Sequence, residues 1–180
     1  MERNLTHIAL FAALIAILGL VPQISLASGV PITAQSLGIM LCGTVLGARR
    51  GALAVLLFLA LVAAGLPLLS GGRGGIGVFQ GPSVGYLIGF PIAAFVAGWI
   101  VERTTLPVGL SAGAGAVIGG IAVLYLFGIP GMALVLGKTL PEAALIGAAY
   151  LPGDMLKAVL AGFVTQGIAR MRPGSLLSRA

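Results

Sequence analysis

Apolar runs long enough to cross a bilayer follow one another along almost the whole chain, and this pattern limits the fold more than any motif does. Hydrophobic residues make up 59% of the sequence and charged residues 8%, whereas soluble domains carry roughly 25% charged residues. A spanning helix needs about 20 mostly apolar residues. The pattern therefore predicts an all-α integral membrane protein.

Six transmembrane helices are predicted from apolar runs that are separated by proline, glycine or charge. They are expected at about residues 5–21, 34–48, 51–69, 83–101, 107–127 and 152–170. The length of 180 residues suits one bundle, so residues 1–180 are predicted to form a single transmembrane domain. Residues 133–151 could be counted as a seventh span, but they contain Lys138, Pro141 and Glu142, and six spans fit the charge pattern better.

The basic residues predict the orientation of the bundle, because connections rich in Lys and Arg stay in the cytoplasm. Six spans place only Arg73 and Lys138 in outer connections. The termini and the other connections, which are then cytoplasmic, hold Arg3, Arg49, Arg50, Arg103, Arg170, Arg172 and Arg179. We therefore expect a multi-pass protein of the bacterial plasma (inner) membrane with both termini inside, and the net charge of +6 does not indicate nucleic-acid binding.

A cleaved signal peptide over residues 1–27 is a rival interpretation of the first apolar run. The small residues Ser25 and Ala27 follow that run, as they would at a cleavage site. However, the amino-terminal region is short and contains the acidic Glu2, and the apolar run is of spanning length. A retained first helix is therefore the preferred prediction.

Two glycine-containing motifs resemble enzyme sequences but lack the context that the chemistry needs. Residues 81–85 match Gly-x-Ser-x-Gly around Ser83, but His7, the sole histidine, is predicted at the opposite membrane surface and cannot act as its base. Residues 72–77 match Gly-x-Gly-x-x-Gly but lie in an outer loop between helices, not between a strand and a helix. Neither motif indicates an enzyme.

The sequence contains no motif that indicates ATP hydrolysis or the binding of a cofactor. In residues 131–139 the gap between the glycines is five residues, where a phosphate loop requires four. A solute-accumulating bundle would therefore depend on an ion gradient or on a partner. Cys42 is the only cysteine, which excludes an intrachain disulfide and a multi-cysteine metal site. No metal site, cofactor or catalytic residue is predicted.

A carboxylate and an ammonium lie three positions apart in the last apolar run, at Asp154 and Lys157. An ionisable group near hydrocarbon costs at least ~2.5 kcal/mol on insertion scales, so such groups usually pair, face a cavity or bind a polar ligand. Spacing i, i+3 puts both on one helix face. Pro152 opens the helix, and its positive end favours the Asp154 carboxylate. A ligand site is the preferred prediction, and an ion pair that only fixes helix packing is the alternative.

Five further segments stand out in the sequence: PITAQSLG (31–38), LGARRGALA (46–54), GLPLLSGGRGGIG (65–77), GPSVGYLIGF (81–90) and LPGDMLK (151–157). In this order and at this spacing, they resemble the biotin-specific substrate-binding subunits (S components) of energy-coupling-factor (ECF) vitamin transporters, the BioY family. The resemblance covers nearly the whole chain.

The resemblance implies a six-helix protein that captures biotin near the outer surface, under the connections after helices one and three. It delivers biotin to the cytoplasm together with a transmembrane coupling subunit and two ATPase subunits. Asp154 and Lys157 match the polar pair of the family and are carried over as contacts to the biotin ureido group. Arg73, Tyr86 and Gln35 lie in matching segments and are further predicted substrate-binding residues.

Small residues at four-residue intervals on the first helix predict a second interface. Such stripes allow helices to approach closely in lipid, and the resemblance implies that an Ala-x-x-x-Ala stripe docks the coupling subunit. Two registers fit the sequence, Ala9 with Ala13 and Ala12 with Ala16. The sequence does not decide which register docks the partner. It also leaves the oligomeric state open, and a homo-oligomer is compatible with it.

Three hypotheses follow from the sequence. The leading one is a biotin-binding and translocation subunit that is not an enzyme. The second is a self-sufficient secondary transporter or channel that uses Asp154 as a proton site. The third is an intramembrane hydrolase at Ser83, which Ser83→Ala should inactivate without loss of ligand binding.

Overall fold

Long apolar segments fold into helices because a bilayer offers no water to pair with backbone N–H and C=O groups. The computed structural model describes residues 2–25 and 28–179, and these residues form seven long helices and no β-strand. The helices are α1 (Glu2–Leu18), α2 (Gln35–Leu46), α3 (Ala48–Ala63), α4 (Val84–Arg103), α5 (Val108–Leu136), α6 (Leu140–Ala148) and α7 (Leu151–Met171). The all-α prediction is confirmed for the described residues, which include neither Ala27 nor the Arg3 side chain.

The outer surface of the bundle is suited to lipid. By length and composition, α4 and α5 are each able to cross a membrane, and α6 with α7 forms a bent pair, with 56° between the two helices, that meets the same test. α2 and the Asn4–Leu18 part of α1 are apolar but shorter. Large apolar side chains face outward, such as Leu134 at 83% exposure. Lipid would cover such a surface, which soluble monomers rarely expose.

The third helix is shorter than predicted, because glycine and proline stop it early. Residues 51–69 were expected to be helical, whereas α3 ends at Ala63. Gly65 adopts a φ of 106°, a conformation that residues with a Cβ rarely adopt, and Pro67 follows. Residues 64–83 therefore form a long connection between α3 and α4 that contains one short 3₁₀ helix, Ile76–Gln80.

The region after residue 127 contains more helix than predicted. Pro130 lies inside α5, which continues to Leu136 after a π-helical turn at Ile118–Val123, because neighbouring helices tolerate proline within a bundle. Pro141 and Glu142 begin α6 and do not interrupt it. Glu142 accepts the backbone N–H of Thr139 at 2.8 Å in a capping box, with proline in the first turn.

Close packing around α4 assembles the two ends of the bundle. α4 packs against α2, α3 and α5, and α7 packs along α5 and α2. Gly43 of α2 allows this, since a Cβ there would lie 2.9 Å from the Gly98 nitrogen. The first turns of α2, α4 and α7 consequently meet at one end, beneath the α1–α2 and α3–α4 connections.

Candidate functional site

A cavity lies at the end of the bundle where α2, α4 and α7 begin, and the two long connections cover it. All five predicted substrate-binding residues line it. The full lining is Val30, Pro31, Ile32, Thr33, Gln35, Ser36, Leu69, Arg73, Ser83, Tyr86, Leu87, Phe90, Leu124, Tyr150, Asp154 and Lys157. The lining is mostly apolar and aromatic with a few convergent polar groups, which is typical of a small-molecule site.

Asp154, which is buried, and Lys157, which is partly buried, form an ion pair on one face of α7, with 2.9 Å between Lys157 Nζ and Asp154 Oδ1. Ser36 of α2 joins the pair, because its hydroxyl donates to Asp154 Oδ1 at 3.1 Å and accepts from Lys157 Nζ at 2.9 Å. Tyr125 of α5 donates to Asp154 Oδ2 at 2.9 Å. One ammonium hydrogen of Lys157 and one lone pair on Asp154 Oδ2 remain for a ligand.

Three tyrosines form an aromatic wall beside this pair, and two of them, Tyr86 and Tyr150, line the cavity. Tyr86 stacks edge-to-face with Tyr125 and with Tyr150, with ring centroids 6.2 and 6.1 Å apart. The Tyr86 hydroxyl is buried and has no hydrogen-bond partner among the described residues. An unpaired buried hydroxyl costs about 1–3 kcal/mol, so a polar atom bound in the cavity would relieve that cost.

Tyr150, at the α6–α7 junction, holds the α1–α2 connection over the cavity. Its hydroxyl lies 2.9 Å from the Ser28 hydroxyl and donates to the Val30 carbonyl at 3.3 Å. Ile24 and Ile32 exchange two backbone hydrogen bonds within the same connection. The connection is thus tied both to itself and to the helix that carries Asp154.

Arg73 projects from a tight turn in the α3–α4 connection. Gly71 and Gly72 have φ values of 77° and 69°, which favour glycine, and Leu69 and Arg73 close the turn with two backbone hydrogen bonds. The Arg73 Nε donates to the Ser70 carbonyl at 3.2 Å, and no carboxylate pairs with the guanidinium among the described residues. Partial burial lowers the pKa of Arg73, yet arginine stays protonated, so it presents a cation to the cavity.

Gln35 lines the cavity, but its polar atoms are used by the protein. Its amide nitrogen donates to the carbonyls of Ile15 and Leu68 at 3.1 and 3.0 Å. Its amide oxygen accepts from the Ser70 nitrogen and hydroxyl at 3.0 and 3.3 Å. All four hydrogen-bonding positions of the amide are filled. Gln35 therefore ties α1 and the α3–α4 connection to the start of α2.

Gln35→Ala is expected to destabilise the folded protein, because it leaves buried backbone groups of α1 and the α3–α4 connection unpaired. The cost is about 1–3 kcal/mol for each such group, so thermal unfolding in detergent should occur at a clearly lower temperature. Gln166→Ala is the control, since Gln166 makes one bond, from the Gly109 nitrogen. Unchanged stability of Gln35→Ala together with lost ligand binding would instead mean that Gln35 contacts the ligand directly.

The structure separates the two alanine stripes of α1. Ala12 is buried at 3% exposure, and Ala16 is partly buried against the core. Ala9 and Ala13 are exposed on the outside of the helix. Only the Ala9 and Ala13 register is therefore accessible to another protein.

Ser36, Tyr125 and Tyr150 belong to the site but were not singled out in the sequence. Ser36 directly follows Gln35 in the sequence. The chain has only three tyrosines, so the rarity of this residue type could have indicated that Tyr125 and Tyr150 have a special role. Their partners lie 29 to 122 positions away, and no local pattern predicts contacts over that separation. The site has no cluster suited to a metal ion among the described residues.

Comparisons with known proteins agree with one another. The model of the BioY family matches residues 2–174. The biotin transporter BioY of Rhodobacter capsulatus is 57% identical, over 99% of this chain and 100% of that protein. The probable biotin transporter BioY of Bacillus subtilis is 43% identical, over 89% of this chain and 87% of that protein. The crystal structure of an S-component for biotin from an ECF-type ABC transporter superposes with a TM-score of 0.89 at 31% identity, covering 94% of this chain and 92% of that one.

Proposed function

Because the chain belongs to the BioY family, we propose that it binds biotin in the cavity around Asp154 and Lys157 and takes it up as the S component of an ECF transporter. The family is one of transport proteins, so the chain is not an enzyme. The observation that carries the proposal is the ion pair of Asp154 and Lys157 in the lining of a largely apolar cavity that also contains tyrosines.

The chemistry of biotin matches the groups that this cavity presents. One ureido N–H group would donate to Asp154, which has one lone pair left on Oδ2, and the ureido oxygen would accept from Lys157, which has one hydrogen left. The Tyr86 hydroxyl would gain a partner in the same region, and the aromatic wall would pack against the ring system. The Arg73 guanidinium would bind the carboxylate of the biotin side chain. Gln35 would line the biotin cavity and position the covering connection without forming a hydrogen bond to biotin. Biotin is the transported ligand, and no cofactor is proposed.

We propose six spans, α1 to α5 and the bent pair α6 and α7, with both termini in the cytoplasm of a bacterial cell. The last pair meets the length and composition test for a span when its two helices are taken together across their 56° bend, which supports counting it as one broken span. Arg49, Arg50, Arg103 and Arg179 gather at the end opposite the biotin cavity, which supports a cytoplasmic assignment of that end. The cavity then opens toward the outside of the plasma (inner) membrane.

Transport energy is proposed to come from a partner, a transmembrane coupling subunit with two ATPase subunits. The exposed Ala9 and Ala13 stripe would dock the coupling subunit, because small residues permit close approach of a second helix. The alternative is a self-sufficient, proton-coupled transporter that uses Asp154, whose carboxylate is the only acid lining the cavity.

Uptake of labelled biotin into biotin-auxotrophic cells distinguishes these sources of energy. We expect uptake by cells that express the chain with an ECF module to stop when the ATPases carry an inactive phosphate loop. Uptake that survives loss of the ATPases but collapses with the proton gradient would favour the secondary transporter.

Ala13→Leu is expected to abolish partner-dependent uptake while leaving biotin binding unchanged, because the larger side chain projects from an exposed helix face and Ala13 is absent from the cavity lining. Ala60→Leu on α3 is the matched control, since Ala60 is also exposed on a helix. Co-purification of the coupling subunit and uptake are measured together. Retained co-purification with Ala13→Leu would exclude this stripe as the docking surface.

A further inference from the structure

We propose that a second cavity, at the end of the bundle opposite the biotin cavity, binds the phosphate headgroup of an anionic phospholipid. Four arginines line it, and Glu102 is the only acidic residue of its lining. We call it the arginine cavity, after Arg49, Arg50, Arg103 and Arg179. It lies between the end of α2, the start of α3, the end of α4 and the carboxy-terminal segment.

Two of the arginines hold the wall of the cavity. Arg50 donates to the carbonyls of Leu46 and Leu177 at 3.3 and 3.1 Å, and Arg179 donates to the Ser111 hydroxyl at 2.8 Å. Because Arg50 belongs to α3, these bonds fix the carboxy-terminal segment against α3 and α5. Hydrogen bonds therefore hold this wall of the cavity in place, and the charges of Arg50 and Arg179 make the electrostatic potential inside the cavity more positive.

The other two arginines are available to a ligand. Arg49 and Arg103 are exposed, and neither has a hydrogen bond or an ion pair within the described residues. Glu102 accepts the Ala48 backbone N–H at 2.9 Å and forms no ion pair with either arginine among the described residues. One carboxylate against four guanidinium groups leaves the lining with a net positive charge. Guanidinium groups bind phosphate oxygens through paired N–H donors. The free charge of the cavity thus suits a phosphate.

The position of the cavity favours a lipid over a dissolved phosphate. Trp99, 47% exposed, and Phe95, 41% exposed, form its outer rim one turn apart on α4, and tryptophan is enriched where membrane meets water. The Arg103 guanidinium lies 5.8 Å from the Trp99 ring centroid. Acyl chains would lie along the exposed aromatic side while the headgroup reaches Arg49 and Arg103. Basic pockets between transmembrane helices are known to bind such headgroups.

Trp99 is the only tryptophan of the chain, so its fluorescence reports on this cavity directly. The full chain is reconstituted in phosphatidylcholine vesicles that contain a small fraction of brominated phosphatidylglycerol or brominated phosphatidylcholine. We expect brominated phosphatidylglycerol to quench Trp99 more strongly than brominated phosphatidylcholine does. The binding preference for phosphatidylglycerol should be roughly fivefold for each arginine that contacts the headgroup. The preference should be lost in the double variant Arg49→Gln, Arg103→Gln, and partly lost in each single variant, which keeps the test available if the double variant is unstable.

Arg172→Gln is the matched control, because Arg172 is an exposed arginine near the same end that is absent from the cavity lining. It should retain the full preference. Equal quenching by the two lipids in the wild type would overturn the proposal, as would an equal loss of preference in Arg172→Gln, which would indicate diffuse charge only. Millimolar inorganic phosphate should not reduce the preference. If it does, the cavity takes free phosphate and the lipid assignment is wrong. Size-exclusion elution and thermal unfolding check that each variant is folded.

Discussion

Asp154→Asn is expected to lower biotin affinity by about 30-fold to several thousand-fold. The substitution removes the negative charge to which Lys157, Ser36 and Tyr125 donate hydrogen bonds. It also leaves the partly buried ammonium of Lys157 without a counter-charge. Truncating one partner of a buried, hydrogen-bonded charge pair costs about 2–5 kcal/mol, and about 1.4 kcal/mol corresponds to a tenfold change. Equilibrium binding of labelled biotin to the purified protein in detergent measures the loss.

Two further variants separate a ligand contact from a packing role of the pair. Glu142→Gln is the control, because glutamine can keep the capping box of α6 and Glu142 lies outside the cavity. The double variant Asp154→Asn, Lys157→Met removes both charges, so its thermal stability should exceed that of Asp154→Asn while biotin binding stays lost. Biotin binding that returns with the stability would mean that the pair only fixes helix packing.

Gly85→Ala is expected to lower both the stability of the bundle and its affinity for biotin. Gly85 of α4 and Gly131 of α5 bring the two backbones into contact, since a Cβ on Gly85 would lie 3.0 Å from the Gly131 Cα and overlap the Phe127 carbonyl. Overpacking of this kind costs about 1–3 kcal/mol. Tyr86 follows Gly85 directly, so separation of α4 from α5 would also move the aromatic wall of the cavity.

Gly113→Ala tests whether the effect of Gly85→Ala comes from helix contact. Gly113 is also a helical glycine, in α5, but a Cβ there would meet no atom within 4 Å. Alanine favours the helix by about 1 kcal/mol over glycine, so this control should be neutral or slightly stabilising in a thermal unfolding assay. Equal destabilisation by the two substitutions would argue against a close α4–α5 contact at Gly85.

The sequence allowed a good prediction of the class of fold and of the central pair. Apolar runs suffice to predict helices in a bilayer, and a carboxylate with an ammonium at i, i+3 suffices to place both on one helix face, as the 2.9 Å ion pair confirms. The predicted helix ends were less accurate. The fifth span was expected to end at 127, and Pro141 was counted against a further span. The structure instead carries α5 through Pro130 and begins α6 at Pro141, because tertiary packing and capping decide the effect of a proline on a helix.

The parts of the site that sequence reasoning missed depend on contacts between distant segments. Ser36 reaches Asp154 across 118 positions, and Gln35 reaches Ser70 across 35, so neither role follows from local spacing. The alanine register of α1 was open for the same reason. Both stripes look alike in the sequence, and only the packing of α1 on the bundle buries Ala12 and exposes Ala13.

The most direct test of the proposed function is equilibrium binding of labelled biotin to the purified, detergent-solubilised chain, with riboflavin and thiamin as competitors. We predict saturable binding that unlabelled biotin displaces and that the other two vitamins do not, with loss of binding in both Asp154→Asn and Lys157→Ala. Absence of biotin binding by a wild-type protein that elutes as one species and unfolds cooperatively would contradict the assignment of this cavity to biotin.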